Sequence, residues 1–75
     1  MSLYEVKMNT MCKVVSLFIE DEKTKIRLME LGLIEGTKIY VKNKSVLKKT
    51  LLVVFENSCF TLKANLAKAI EVNYA

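Results

Sequence analysis

The sequence predicts a mainly β domain in which five short strands close into a small barrel. One short helix lies between strands one and two, and a late helical turn precedes the last strand. Two observations lead to this prediction. Five short segments with the composition or alternation of β-strands recur along the 75 residues. The only two glycines, Gly32 and Gly36, lie four residues apart, where a helix must reverse into a strand.

Five segments have the composition or alternation of β-strands. In the second, Ile39 and Val41 point to one side and the neighbouring lysines to the other, which is the pattern of a half-buried strand. The third is apolar on both faces. The fourth pairs back onto it through a two-residue turn at Asn57-Ser58 and directs Phe60 inward. The predicted strands are residues 11–19, 37–44, 51–56, 59–62 and 70–72.

The first strand is apolar on both faces. Regular alternation places Cys12, Val14 and Phe18 on one face and Ile19 on the other. Because neither face is cleanly polar, we expect both to be partly covered.

The segment after the first strand has a helical pattern. Asp21 is the expected N-cap, with Thr24 as the alternative, and the helix should run to about residue 31. Gly32 suits the C′ position, where a left-handed residue ends a helix, and Gly36 suits the turn that follows. Pairs three residues apart predict an inward apolar stripe of Ile26, Leu28, Met29 and Leu31.

Sheet edges decide how so many short strands are arranged. A chain of this size cannot leave long edges open without a risk of edge-to-edge association, and curling into a barrel removes most of the edge. The sequence therefore favours a five-stranded SH3-like barrel. Residues 64–68 form its late helical turn, and residues 1–75 make a single domain.

The side-chain inventory argues against several kinds of chemistry. The chain has no histidine, the usual general base near neutral pH, and none of the common catalytic or nucleotide-binding motifs, so no catalytic residue is expected. Cys12 and Cys59 do not form a C-x-x-C pair. Two isolated thiols are too few for a tetrahedral metal site within one chain, so we expect both to be reduced and buried, with no metal ligand and no cofactor. The alternatives are a metal bridge between subunits and an adventitious disulfide.

Charge is distributed unevenly along the chain. The net charge is +4, and residues 38–49 contain five lysines and no acid, whereas Glu20, Asp21 and Glu22 form an acidic cluster. Such a basic segment is typical of a solvated hairpin, or of a surface for nucleic acid, an anionic membrane or an acidic protein. Arg27 is the only arginine, so bidentate readout of bases is not expected. The first residues lack the pattern of a signal peptide, and we expect a soluble, cytoplasmic protein.

Two segments resemble a known family. Residues 27–41 read R-L-x-x-L-G-L-x-x-G-T-x-I-x-V, which looks like the signature of the FeoA family, and residues 62–72 resemble its closing segment. The resemblance implies an SH3-like barrel linked to ferrous iron, a transition metal. It also implies protein contact with the cytosolic part of the FeoB-type transporter, so that the chain is peripheral to the membrane only through its partner. A similar module forms the C-terminal domain of DtxR-type repressors.

The sequence departs from the family pattern at three places. Glu35 replaces a frequent proline, residues 46–50 lack a Pro- and Gly-containing stretch, and Leu66 replaces a frequent acid. The loop departure bears on partner specificity more than on the fold.

Candidate contact residues follow from exposure and charge. We expect Arg27, Leu47, Lys48 and Lys49 to contact a partner, because Leu47 would be the apolar tip of a lysine-rich loop. For Arg27 the alternative is a surface residue paired with Glu20 or Glu30. Two other functions stay open: a basic barrel that binds nucleic acid, for which the aromatic residues are few, and a stand-alone metal-sensing module. A homo-oligomer is also open.

Overall fold

The computed structural model describes residues 1–47 and 49–75. Five strands form one antiparallel sheet in the order β4-β3-β2-β1-β5, which confirms the predicted number of strands and the mainly β class. A helix separates the first two strands, as expected. The elements are a 3-10 helix (Leu3–Glu5), β1 (Thr10–Leu17), α1 (Glu22–Glu30), β2 (Lys38–Lys44), β3 (Thr50–Phe55), β4 (Ser58–Lys63), α2 (Ala64–Lys68) and β5 (Ile70–Tyr74).

Both edge strands, β4 and β5, contact the short helices. The sheet curls so that α2 packs against β3, β4 and β5, and the 3-10 helix packs against α2 and β5. The late helical turn is therefore the element that closes the barrel. The free edge of β5 is partly paired by the N-terminal backbone, through the Ser2–Glu71 bridge.

Alternating side chains of the strands fill the barrel. Ile39 and Val41 of β2 are fully buried, as predicted, and Phe55 of β3 stacks on Phe60 of β4 with ring centroids 4.3 Å apart. The core consists of Leu3, Val6, Cys12, Val14, Ile19, Leu28, Leu33, Ile39, Val41, Leu51, Val53, Phe55, Leu62, Ala67, Ile70 and Val72.

A bulge in β1 overturns the alternation expected for that strand. The pairing of β1 with β5 shifts between Val14 and Ser16, and the strand ends at Leu17 rather than at residue 19. An extra residue at a bulge reverses which side chains face the core. Phe18, expected beside Cys12 and Val14, is 68% exposed, whereas Ile19 is buried.

The inward stripe predicted for α1 is wrong for three of its four residues. Leu28 is buried, but Ile26, Met29 and Leu31 are exposed. Positions 26 and 28 differ by about 200° around a helix, so both cannot face the barrel at once. The helix packs against the core through one turn only, and Leu33, beyond its end, takes a second inward place.

The C-terminal end of α1 is a Schellman motif. Gly32, with φ +106°, occupies the predicted C′ position, and its N–H donates to the Met29 carbonyl over 3.0 Å. The Leu33 N–H donates to the Leu28 carbonyl, also over 3.0 Å, and both side chains are buried, which is the apolar contact typical of the motif. At the other end Asp21 is the N-cap residue, and the Thr24 hydroxyl donates to its carboxylate over 2.6 Å.

The segment between α1 and β2 is held by Thr37. Its buried hydroxyl donates to the Gly32 carbonyl over 2.7 Å and accepts the Ile34 N–H over 3.1 Å. Gly36, with φ +92°, donates its N–H to the Val14 carbonyl over 2.8 Å, and the Val14 N–H donates to the Thr37 carbonyl over 2.9 Å. The turn is thereby attached to β1, the strand that pairs with β2.

The β3–β4 hairpin turns one residue earlier than predicted. Its central residues are Glu56 and Asn57, with φ of 51° and 62°, and Ser58 already pairs with Phe55. Two left-handed residues are what a type I′ turn requires, and its twist matches that of the flanking strands. This register also keeps Phe55 on the inner face.

The N-terminal residues supply a part of the core that the sequence analysis did not predict. Leu3 and Val6 are fully buried, and the Val72 N–H of β5 donates to the Met1 carbonyl over 2.8 Å. The Ser2 N–H donates to the Glu5 carboxylate over 2.9 Å, which lowers the pKa of Glu5. The segment is too short for a periodic signal.

Replacing the two glycines separates backbone strain from steric overlap. A Cβ at position 36 meets no atom within 4 Å, so Gly36→Ala should cost only the strain of its positive φ, about 1–2 kcal/mol. A Cβ at position 32 would lie 2.5 Å from the Glu56 Cγ, so Gly32→Ala should lower the free energy of unfolding further. Urea denaturation measures both.

The control variant is Gly32→Ala combined with Glu56→Ala. Removing the Glu56 side chain beyond Cβ relieves the overlap but leaves the backbone strain, so the double variant should be about as stable as Gly36→Ala. Equal stability of Gly32→Ala with and without the Glu56 change would contradict this account.

Candidate functional site

The loop between β2 and β3 has a hydrogen-bonded base. The Ser45 N–H donates to the Thr50 carbonyl over 2.9 Å, and the Ser45 hydroxyl accepts the N–H groups of Lys49 and Thr50 at 2.9 and 3.2 Å. The Lys49 carbonyl accepts the Ala64 N–H of α2 over 2.8 Å. Although it lies in a loop, Lys49 is therefore fixed on both sides of its backbone.

The tip of this loop carries two apolar side chains in solvent. Val46 is 97% exposed and Leu47 is 73% exposed, and Lys49 is exposed beside them. Lys48, the remaining contact residue predicted in the loop, lies outside the described residues. The two adjacent side chains form a small exposed apolar patch.

A basic groove of about 490 Å³ lies next to the loop. We call it the lysine groove. Lys49 lines it together with Lys63, which ends β4, and Lys68 of α2, and Tyr4 of the 3-10 helix forms a wall. The sequence analysis located lysines at 38–49 but did not connect them with Lys63 and Lys68, because only the packing of α2 brings these together.

Tyr4 orders two of the ammonium groups near the lysine groove. The Lys68 Nζ lies 4.8 Å from the ring centroid and the Lys44 Nζ lies 5.6 Å from it, which is within range of cation–π attraction. The Lys44 Nζ also donates to the Tyr4 carbonyl over 2.8 Å. Two flexible lysines are thus held by one aromatic residue.

Arg27 lies far from the loop tip. It is exposed on α1, which joins the start of β2 through the glycine turn, whereas the loop follows the end of β2. The strand has seven residues, so the two places are separated by about 20 Å along it. Arg27 pairs with neither Glu20 nor Glu30 in the described part of the chain.

The two cysteines lie in different environments. Cys12 points into the core, and burial raises the pKa of its thiol. Cys59 is exposed on β4, which corrects the expectation that both thiols are buried. Within residues 1–47 and 49–75, no three side chains of Cys, Asp or Glu come together as a metal site would require. In the same residues, no helix has the length and apolar character needed to span a membrane.

The family of the chain follows from comparison with known proteins. The model of the FeoA domain matches residues 1–74. The chain belongs to the FeoA domain family. No curated protein sequence matches it significantly.

Solved structures of other FeoA proteins have the same fold. The FeoA protein of Chlorobium tepidum is 31% identical with a TM-score of 0.92, over 99% of this chain and 70% of that one. The FeoA of Stenotrophomonas maltophilia, a prokaryotic SH3 domain protein crystallised with zinc, is 29% identical with a TM-score of 0.84, over 97% of this chain and 89% of that one. The predicted SH3-like barrel is thereby confirmed.

The fold also occurs in transcriptional repressors. A manganese-dependent transcriptional repressor superposes with a TM-score of 0.88 at 15% identity, over 100% of this chain and 41% of the repressor. At this identity the match concerns the barrel alone.

Thiol reactivity should distinguish the two cysteines. The exposed Cys59 should react with Ellman's reagent in the native protein, whereas Cys12 should react only after unfolding, because the core excludes the reagent and burial disfavours its thiolate. The measurement is the number of thiols per chain that react rapidly and slowly with the reagent, followed by absorbance. Cys59→Ser should abolish the fast reaction and Cys12→Ser should preserve it, and two fast thiols in the native protein would contradict the burial of Cys12.

Proposed function

We propose that this FeoA protein is a non-enzymatic accessory or regulatory protein of bacterial ferrous iron uptake. It acts in the cytoplasm by contact with the cytosolic part of a FeoB-type transporter. Membership of the FeoA family supports the link to iron uptake. Catalysis is not needed for such a role, since an accessory protein can shift the conformational equilibrium of its partner through binding energy alone.

The exposed loop tip is the observation that best supports a protein contact. Val46 and Leu47 are adjacent, apolar and largely exposed, and Ser45 holds the base from which they project. Fully burying one such side chain stabilises a complex by about 1.5–3 kcal/mol. Together with Lys48 and Lys49, these residues form the proposed main contact.

Arg27 belongs to a proposed second contact. It lies on α1 next to Ile26 and Met29, whose side chains are 51% and 43% exposed. Because this surface is at the other end of β2 from the loop tip, a partner would have to reach along the barrel, or a second partner would use it.

The alternative function that the sequence analysis left open is a stand-alone metal-sensing module. A free-standing sensor would bind a divalent metal ion and change its partner in response. Equilibrium dialysis with ferrous iron and manganese would decide, since a sensor must bind metal at stoichiometric level and the proposed accessory protein need not.

Replacing the loop tip should weaken binding to the transporter. We expect Val46→Ser combined with Leu47→Ser to lower the affinity for the soluble cytosolic domain of the cognate transporter about tenfold or more, because two apolar side chains lose their burial at the interface. Isothermal titration calorimetry measures the affinity. The free energy of unfolding should change little, because both side chains are largely exposed in the free protein.

Phe18→Ser is the matched control for the loop variant. Phe18 is exposed to a similar extent, 68%, but lies beyond the end of β1, at the α1 end of the barrel. Because the loop tip is the proposed main contact, replacing Phe18 should lower the affinity less than the loop variant does. A larger loss in Phe18→Ser than in the loop variant would place the main contact at the α1 end and overturn the assignment to Leu47. The affinity of Arg27→Ala for the same domain tests the proposed second contact separately from the loop tip.

A further inference from the structure

Positive charge in the lysine groove is not balanced by neighbouring carboxylates. Lys49, Lys63 and Lys68 line the groove, and its lining includes no Asp or Glu. In the described part of the chain, none of these lysines takes part in an ion pair. A concave surface with charge of one sign raises the local potential and attracts an oppositely charged ligand.

The groove is partly organised before a ligand arrives. Tyr4 holds the Lys68 ammonium group at 4.8 Å, and the Lys49 backbone is bonded to Ser45 and Ala64. Restricting these groups in the free protein reduces the conformational entropy that binding would remove. The Tyr4 ring is engaged by ammonium groups rather than left open as a platform for a nucleobase.

The apolar loop tip is continuous with the groove through Lys49. This residue lines the groove and also follows Leu47 in the loop by two positions. A nucleic-acid strand offers phosphates to the lysines but no aliphatic side chain to Val46 and Leu47, and the groove has no arginine fork for phosphate. An acidic peptide with a flanking apolar residue satisfies both parts of the surface.

We infer that the lysine groove docks an acidic, extended segment of the partner protein. Its carboxylates lie beside Lys49, Lys63 and Lys68, and an apolar side chain next to them packs on Leu47. The inference rests on the proposed function and specifies the chemistry of the partner segment. The groove contributes charge recognition, whereas the loop tip contributes apolar burial.

A hexaglutamate peptide tests the groove without the transporter. In an NMR titration of ¹⁵N-labelled protein at low salt, we expect shift changes at Lys49, Thr50, Lys63, Ala64 and Lys68, and weaker binding as salt rises. Lys63→Gln combined with Lys68→Gln should weaken binding about fivefold to tenfold, through loss of two charge contacts.

The matched control is Lys13→Gln combined with Lys23→Gln. These two exposed lysines lie on β1 and α1, outside the groove, and their replacement changes the net charge by the same amount. The control should retain wild-type affinity. An equal loss in both double variants would overturn the inference, because attraction would then depend on net charge alone. Tighter binding of a single-stranded oligonucleotide or of tripolyphosphate than of hexaglutamate would also overturn it, in favour of a phosphate ligand.

Calorimetry with the transporter domain separates the groove from the proposed function. If the wild-type protein binds the domain and the Lys63/Lys68 variant binds equally well, the groove assignment fails and the proposed function stands. If hexaglutamate binds in the groove but the domain does not bind, the proposed function fails and the groove serves a different acidic partner. If the Lys63/Lys68 variant binds the domain less tightly, and raised salt weakens binding of the wild-type protein in the same way, the result supports both the groove assignment and the proposed function.

Discussion

The hydrogen bonds around Thr37 are the constraint on which the rest of the barrel depends. The hydroxyl of Thr37 joins both sides of the glycine turn, and backbone bonds from the turn reach Val14 of β1. They set the register in which β2 begins beside β1. A slip by one residue would turn Ile39 and Val41 out of the core, because side chains alternate along a strand. The buried hydroxyl has both partners it needs, so its burial is not a cost.

The two ends of the barrel differ in how the chain is held. At the α1 end the chain is tied by the Schellman motif and by the hydrogen bonds of Thr37. At the other end, β2 continues into a loop whose base is fixed by Ser45 and in which Val46 and Leu47 are exposed. A hydrogen-bonded base favours recognition, since less order is lost on binding.

Closure of the barrel and assembly of the lysine groove have the same cause. The 3-10 helix and α2 cover the gap between β4 and β5, and in doing so they place Tyr4 beside Lys68 and Lys44. Residues that complete the core, such as Leu3 and Ala67, therefore alternate with residues that line the groove. A change in the packing of α2 would alter the groove as well as stability.

The sequence by itself determined how many strands there are and roughly where each lies in the chain, the position of α1 and the role of Gly32. These features were predictable because alternation and helix termination depend on neighbouring residues. Leu47 as an exposed tip was predictable for the same reason. Only the tertiary structure decided the bulge that exposes Phe18, the single inward turn of α1, and the meeting of Lys49 with Lys63 and Lys68. These features depend on contacts between distant segments, and no local pattern encodes which of several apolar or charged side chains a curled sheet will bring together.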